Sequence, residues 1–252
     1  MTKNFRQFAW LPILAMLTLL TGCQKLVDKW WHDHPGEVGC KIKKMIKKVD
    51  SSNPPITALF YYSSKGNLDS IITDVELGSV GPAYFYFKYD HKNRLIAYNT
   101  YYERSPDFYY ELHKYVYTGN KITTDSVQIQ IAGQFSEVRN LTYDSQGRVS
   151  GETGTVTAEG NTEPLTPKTY TYDGDGNLVG VPGANYDDKV SFLRTDKVLM
   201  FTQRDYSRNN IKPALGYNAA ELPSGFEFLE SESPEYGFNH LGTPETIEYY
   251  CK

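Results

Sequence analysis

Asp173, Asp175 and Asn177, in the run Asp-Gly-Asp-Gly-Asn, carry side-chain oxygens at alternate positions, the spacing that opens a calcium loop. Leu178 stands where such a loop turns on glycine, and no acid follows at the twelfth position, so the run reads more simply as a hairpin turn. His32 and His34 flank Asp33 and offer two imidazoles to a metal, but alternation on a segment without helix or strand period reads as a solvated polar stretch. His91, His113 and His240 are scattered, with no acid or nucleophile partner legible beside them. No serine sits in a nucleophile elbow, and no glycine-rich phosphate loop occurs. With 30 acidic residues some carboxylate pair is always possible in space, which keeps an uncharacterised hydrolase open as an alternative. The expectation is a non-enzymatic protein with no catalytic residue, no metal and no cofactor.

Aromatic rings are the other chemistry on offer. In Tyr84-Phe85-Tyr86-Phe87-Lys88-Tyr89 the side chains alternate across a strand, so Phe85, Phe87 and Tyr89 point one way and Tyr84 and Tyr86 the other. One face must pack. The other is either covered by the segment 186–226 or exposed, and if exposed it offers Tyr84, Tyr86, Tyr101 and Tyr109 as ligand-binding residues for sugar rings or an extended peptide.

The elements that would hold these residues repeat. Seven segments place an aromatic or apolar pair at i and i+2 before Asp, Asn, Ser or Thr, then a polar turn, then an apolar residue. They begin at Phe60, Phe87, Tyr115, Leu141 and Tyr170, with looser copies at Leu215 and Tyr236. From Tyr62 through Tyr89, Tyr117 and Tyr143 to Tyr172 the steps are 27, 28, 26 and 29 residues. The Asp or Asn folds onto nearby backbone N–H groups, Gly or Asn supplies positive φ, and a strand such as Leu95 to Tyr102 follows. Each unit is thus a hairpin, and hairpins joined end to end predict an all-β antiparallel meander in one strongly curved sheet or partly open barrel. Ile42, Met45, Ile46 and Val49 fit helical spacing, but the segment is short and runs into Asn53-Pro54-Pro55, so a strand beginning at Cys40 is favoured.

The phrases YDHKNRL, YDSQGRV and YDGDGNL resemble the YD repeats of RHS and teneurin proteins. They resemble more closely uncharacterised Bacteroidota lipoproteins whose YD-like domain forms a porin-like, curved antiparallel sheet. The resemblance spans roughly Cys40 to Cys251. It implies a fold and no activity. The step is longer than the usual YD repeat and the units are too few for an enclosing shell, so toxin encapsulation is not implied.

The first residues suggest an address. Lys3 and Arg6 precede a mostly apolar run from Phe8 to Leu20, too short to span a bilayer comfortably and patterned as a secretory signal. Leu20-Thr21-Gly22-Cys23 resembles the bacterial lipobox, which implies cleavage before Cys23 and lipidation of its thiol. The alternative is an ordinary signal peptide with a coincidental cysteine. The division expected is a signal peptide at 1–22, a lipidated cysteine and tether at 23–39, with Trp30 and Trp31 at the domain or the headgroups, and a β domain at 40–252. Several acyl chains on one cysteine hold a protein at a membrane without a spanning segment. Gln24 rather than Asp at the second mature position resembles outer-membrane sorting, facing the periplasm or the cell surface.

Without residues 1–22, 24 cations face 30 acids, a balance of −6 that disfavours nucleic acid as a partner. The basic cluster Lys41, Lys43, Lys44, Lys47 and Lys48 reads as a solvated face near an anionic membrane. Once Cys23 is lipidated, Cys40 and Cys251 are the remaining pair, and an oxidising envelope favours a disulfide between them over two free thiols. The functional expectation is a binding module for a glycan, peptide or envelope protein, against a structural lipoprotein that pairs with a partner through its sheet edge.

Overall fold

A computed structural model describes residues 39–47, 55–74, 84–101, 109–130, 134–227 and 244–251. Its alternating strands build one open, curved sheet of twelve strands, all paired antiparallel. Nine follow in chain order: β1 (Cys40–Lys47), β2 (Ile56–Tyr62), β3 (Leu68–Thr73), β4 (Tyr84–Tyr89), β5 (Leu95–Tyr101), β6 (Tyr109–Thr118), β7 (Lys121–Gln130), β8 (Gln134–Tyr143) and β9 (Val149–Ala158). The outer edge of β9 pairs with β10 (Asn161–Pro164) and β11 (Lys168–Thr169). At the other end β14 (Thr246–Cys251) pairs with β1, and Cys40 and Cys251, in register, are joined by a disulfide. The meander read from the repeats is the observed architecture, and the segments after Tyr89, Tyr117 and Tyr143 are strands. Cys23, Trp30, Trp31, His32, His34, Lys48, Val49, Tyr236 and His240 lie outside the described residues.

The repeat is a turn coupled to a hydrogen bond. Oδ1 of Asp90 accepts from the N–H groups of Lys92 and Arg94, that of Asp144 from Gln146 and Arg148, and that of Asp173 from Asp175 and Asn177, all at 2.8–3.0 Å. Asn93, Gly147 and Gly176 follow at φ 64°, 80° and 86°, a region that Gly and Asn enter at least cost. The next apolar residue, Leu68, Leu95, Ile122, Val149 or Leu178, is buried. Tyr62, Tyr89, Tyr117 and Tyr143 face these residues across β-bulges. Each hydroxyl then reaches one unit back along the sheet: Tyr62 to the Ile42 carbonyl, Tyr89 to Leu68, Tyr117 to Leu95 and Tyr143 to Ile122, at 2.6–2.9 Å. The ladder satisfies carbonyls left over where pairing with the next hairpin stops two residues away, at Lys44, Ser70, Ala97 and Thr124, and it fastens each hairpin to its neighbour.

The fifth copy makes its turn but leaves the sheet, with only an isolated bridge between Tyr172 and Leu178. The chain then crosses the inner face of the sheet. It forms a 3-10 turn at Phe192–Thr195, a helix α1 (Lys197–Gln203), and a hairpin of β12 (Gly216–Tyr217) and β13 (Pro223–Gly225). The Asp196 carboxylate caps α1 by accepting from the Val198 N–H at 3.0 Å. Val198, Leu199, Met200 and Phe201 are all buried, so this short helix is apolar around most of its circumference and has no one-sided period to read. It joins the same buried core as Phe60, Phe85, Phe87, Leu95 and Tyr115, and the Phe201 ring meets Tyr115 edge-on with centroids 5.3 Å apart. The 186–226 segment therefore covers the Phe85 and Phe87 face. Tyr84 and Tyr86, on the opposite face, are half-buried.

For β1 the strand reading holds, and the reading of its lysines needs correction. Ile42 and Met45 share the core face because a bulge between Ile42 and Lys44 shifts the alternation by one residue, which imitates helical spacing. The lysines are not one solvated face. Lys41 donates to Asp196 and to the Thr195 carbonyl, Lys43 and Lys44 pair with Glu248, and Lys47 is buried, its pKa lowered to about 8 by desolvation. The cause is position: β1 is paired at both edges, so Glu248 of β14 lies beside it and the insertion brings Asp196 and the Thr195 carbonyl to Lys41.

Candidate functional site

The turns of successive hairpins stand side by side at one end of the sheet, and the inserted segment faces them. Between them lies a cavity of about 1090 Å³. The sheet contributes Tyr89, Tyr117 and Tyr143, with Asn67, Asn93, Asn120 and Gln146 at the turns, and the insertion contributes Asp196, Lys197, Val198, Met200, Phe201, Tyr206 and Arg208. Seven cations line it, Lys41, Arg94, Lys121, Arg148, Arg194, Lys197 and Arg208, against two carboxylates, Asp173 and Asp196. In a chain with more acids than bases, that concentration is local.

The repeat places part of this charge. Asn67, Arg94, Lys121 and Arg148 precede the buried apolar residue of four consecutive units at intervals of 27 residues. Asn67 and Asn93 exchange side-chain amide hydrogen bonds across neighbouring turns. Each guanidinium is fixed twice. Arg94 pairs with Asp90 at 2.7 Å and lies 4.5 Å from the centroid of the Tyr117 ring, while Arg148 pairs with Asp144 at 2.7 Å and lies 3.8 Å from that of Tyr172. Lys121 lies 5.0 Å from the Tyr143 centroid. Lys121, Lys197 and Arg208 have no ion-pair partner among the described residues. The cation of one unit therefore occupies a ring face of the next.

The tyrosine hydroxyls are structural donors here. Burial raises the pKa of Tyr89, Tyr117 and Tyr143, the last to about 12, so they stay protonated through the physiological range. Tyr206 fills the place the departing fifth unit leaves, hydrogen-bonding to the backbone at Val149. Tyr172 instead donates to the Arg204 carbonyl.

A second cluster lies inside the core. His113 on β6 meets Asp125 on β7 through Nδ1 at 2.9 Å and Glu111 through Nε2 at 3.3 Å. Arg204, at the end of α1, donates from Nη2 to Asp125 at 3.2 Å and from Nε to Glu152 on β9 at 2.5 Å. Burial alone would depress the His113 pKa, but Asp125 and Glu111 outweigh it and raise it to about 9. Burial would raise Asp125, and His113 and Arg204 outweigh it, so its pKa falls below the ordinary value. A histidine protonated at neutral pH has no free nitrogen lone pair to act as a base, and these carboxylates are committed to cations. The cluster ties α1 to the sheet. Arg204 takes φ 54° to reach it, a left-handed conformation that costs an L-residue roughly 1–2 kcal/mol.

Sequence reasoning placed its ligand-binding tyrosines elsewhere. Tyr84 and Tyr101 pair across β4 and β5, Tyr101 and Tyr109 across β5 and β6, and the Tyr86 and Tyr101 rings meet edge-on at 5.8 Å. The four come together but are half-buried, and none lines the cavity. Asp173 does border it, with its Oδ1 committed to the turn, and the Asn177 amide is paired with Asn209. The missed residues had a signal: a cation before the buried apolar residue in three consecutive units, and His113 two residues from Tyr115, hence on the core face of β6. Compared with known protein families and with curated proteins, the chain matches none.

Proposed function

We propose that this protein is an outer-membrane lipoprotein, anchored by lipid on Cys23, whose curved sheet is a non-enzymatic binding module with its ligand site in the turn-end cavity. A glycan, a peptide or another envelope component would enter where the turns of four hairpins and α1 converge. The observation that carries the reading is the cavity itself, about 1090 Å³ in volume and lined by ordered polar, aromatic and cationic groups. Its floor is rigid, because Tyr89, Tyr117 and Tyr143 are each hydrogen-bonded to backbone at 2.6–2.9 Å. The signal-like N-terminus and the Leu-Thr-Gly-Cys segment support the address. Mass spectrometry of the membrane-extracted protein should find an acylated N-terminal peptide beginning at Cys23.

The site assignment is tested by obstruction. Asn120 is exposed and borders the cavity, so Asn120→Trp should fill the entrance without touching the core. Saturable binding to a solubilised envelope polysaccharide fraction should be lost in Asn120→Trp while the melting temperature holds. Retained binding there, together with loss in Tyr84→Ala and Tyr86→Ala, would move the site to the opposite face of the sheet.

A further inference from the structure

We infer that the cavity selects a linear anionic saccharide, bearing carboxylate or phosphate groups along its length, rather than a neutral glycan. This rests on the reading of the cavity as the ligand site and adds the chemistry of the ligand.

Charge balance is the first argument. Of the lining cations, Lys41, Arg94 and Arg148 are paired with Asp196, Asp90 and Asp144, while Lys121, Lys197 and Arg208 have no ion-pair partner among the described residues and face one further lining carboxylate, Asp173. Lys121, Lys197 and Arg208 come from three separate elements and converge on one space, where walls of low dielectric strengthen their field. A chain with a formal net charge of −4 assembles that surplus in one cleft.

The rings argue in the same direction. A neutral sugar is usually held by stacking on an exposed aromatic face, yet Arg94 lies over Tyr117, Lys121 over Tyr143 and Arg148 over Tyr172. The ligand therefore meets the cations seated on the rings. Backing by Asp90 and Asp144 fixes the two guanidiniums and leaves their remaining N–H donors for a second anion.

Spacing distinguishes a linear polyanion from a compact one. Arg94, Lys121 and Arg148 recur once per hairpin. Successive hairpins are two strand spacings apart, about 10 Å along the sheet. That is too far for one phosphate to bridge and about the length of a disaccharide. Asn120 stands in the same band as a hydrogen-bond partner for hydroxyls between the charges, and Asn67 and Asn93 each keep one amide N–H beyond their mutual pair.

The test uses the mature, disulfide-intact chain and isothermal titration at two salt concentrations. The probes are a galacturonate hexamer, a phosphorylated mannan oligomer, a neutral galactan hexamer and vesicles of phosphatidylglycerol. The expected result is binding of one or both anionic oligomers, weakened about tenfold or more in the triple variant Lys121→Gln, Lys197→Gln, Arg208→Gln and by raised salt, with the neutral hexamer weaker by a similar factor. The two anionic arms separate carboxylate from phosphate recognition. The triple variant should keep its melting temperature, and Asn120→Trp serves as an independent obstruction. Equal binding of neutral and anionic hexamers overturns this inference and leaves the cavity reading standing. Binding to the vesicles with none to either anionic oligomer overturns it too, in favour of a lipid surface. Silence of both anionic oligomers while an envelope fraction still binds in an Asn120-sensitive way rejects the ligand class alone. Silence of every probe and fraction rejects both readings.

Discussion

Replacing Arg204 by Met should be among the most destabilising single changes available in the insertion. The methionine fills much of the same volume, so the effect is electrostatic rather than a cavity. Arg204 is 8% exposed, Asp125 1% and Glu152 8%. Without the guanidinium, Asp125 keeps His113 as its hydrogen-bonded cation and Glu152 loses its cation at 2.5 Å, with Arg139 remaining as a weaker charge partner of both. Removing one partner of a buried ion pair typically costs about 3–5 kcal/mol. We expect about 3, the lower end, because His113 still offsets one carboxylate and Arg139 lies near both. The triple replacement Arg204→Met, Asp125→Asn, Glu152→Gln removes the guanidinium together with both of its carboxylates, leaves His113 to Glu111, and should recover roughly half of that loss, the remainder reflecting weaker hydrogen bonds. Urea unfolding of the disulfide-intact domain at pH 7, with the slope unchanged between variants, reads the difference directly. A loss under about 1 kcal/mol for the single variant, or a triple variant no more stable than the single one, would refute the assignment of Arg204 as the tie between α1 and the sheet.

Other outcomes follow from the same contacts. His113 has its pKa raised from 6.5 to about 9, so its contribution is fully present below pH 6.5 and is lost as the pH rises through 9; Lys47, lowered to about 8, works the other way in parent and variant alike, so the parent should lose on the order of 3 kcal/mol relative to His113→Gln between urea titrations at pH 6 and 10. Tyr117→Phe removes the donor to the Leu95 carbonyl and should cost about 1–2 kcal/mol by chemical denaturation, against little for an exposed tyrosine such as Tyr61. Gly154→Ala should fail to form the native β8 and β9 pairing, since an added Cβ would lie 1.9 Å from the Val138 carbonyl oxygen, whereas Gly174→Ala meets nothing within 4 Å; circular dichroism melts of the two variants make the comparison. Reducing the Cys40–Cys251 bridge, which spans 211 residues, removes a constraint worth about 5 kcal/mol in the chain-entropy model and should lower the melting temperature while β1 and β14 still pair.

What was legible in the sequence was local chemistry that repeats. Asp90, Asp144 and Asp173 announce their turns because a short carboxylate followed by Gly or Asn has few other uses, and Tyr117 or Tyr143 marks the strand before each turn. That is enough for the meander and its 27-residue step. The inserted segment was not legible as a helix, because Val198 to Phe201 is buried on nearly all sides and shows no amphipathic period, and because its anchor, Arg204, finds its partners 52 and 79 residues away. The bulge in β1 accounts for the helical interval between Ile42 and Met45 that competed with the strand reading there. At the site, Arg94, Lys121 and Arg148 stood in plain view inside the turn motifs, but only the sheet brings residues 27 apart into one row and only the insertion makes that row the wall of a cavity. Tyr84, Tyr86 and Tyr101 drew attention by density, whereas Tyr89, Tyr117 and Tyr143, which line the cavity, stand 26 to 28 residues apart and become neighbours only through the repeat.

The most direct test of the turn-end site is hydrogen–deuterium exchange on the intact domain with and without saturating galacturonate hexamer. The account predicts slowed exchange in the turns at 90–95, 118–122 and 144–149 and in α1, with the strands around Tyr84 and Tyr101 unchanged. Protection confined to Tyr84, Tyr86 and Tyr101, with those turns unaltered, would contradict it.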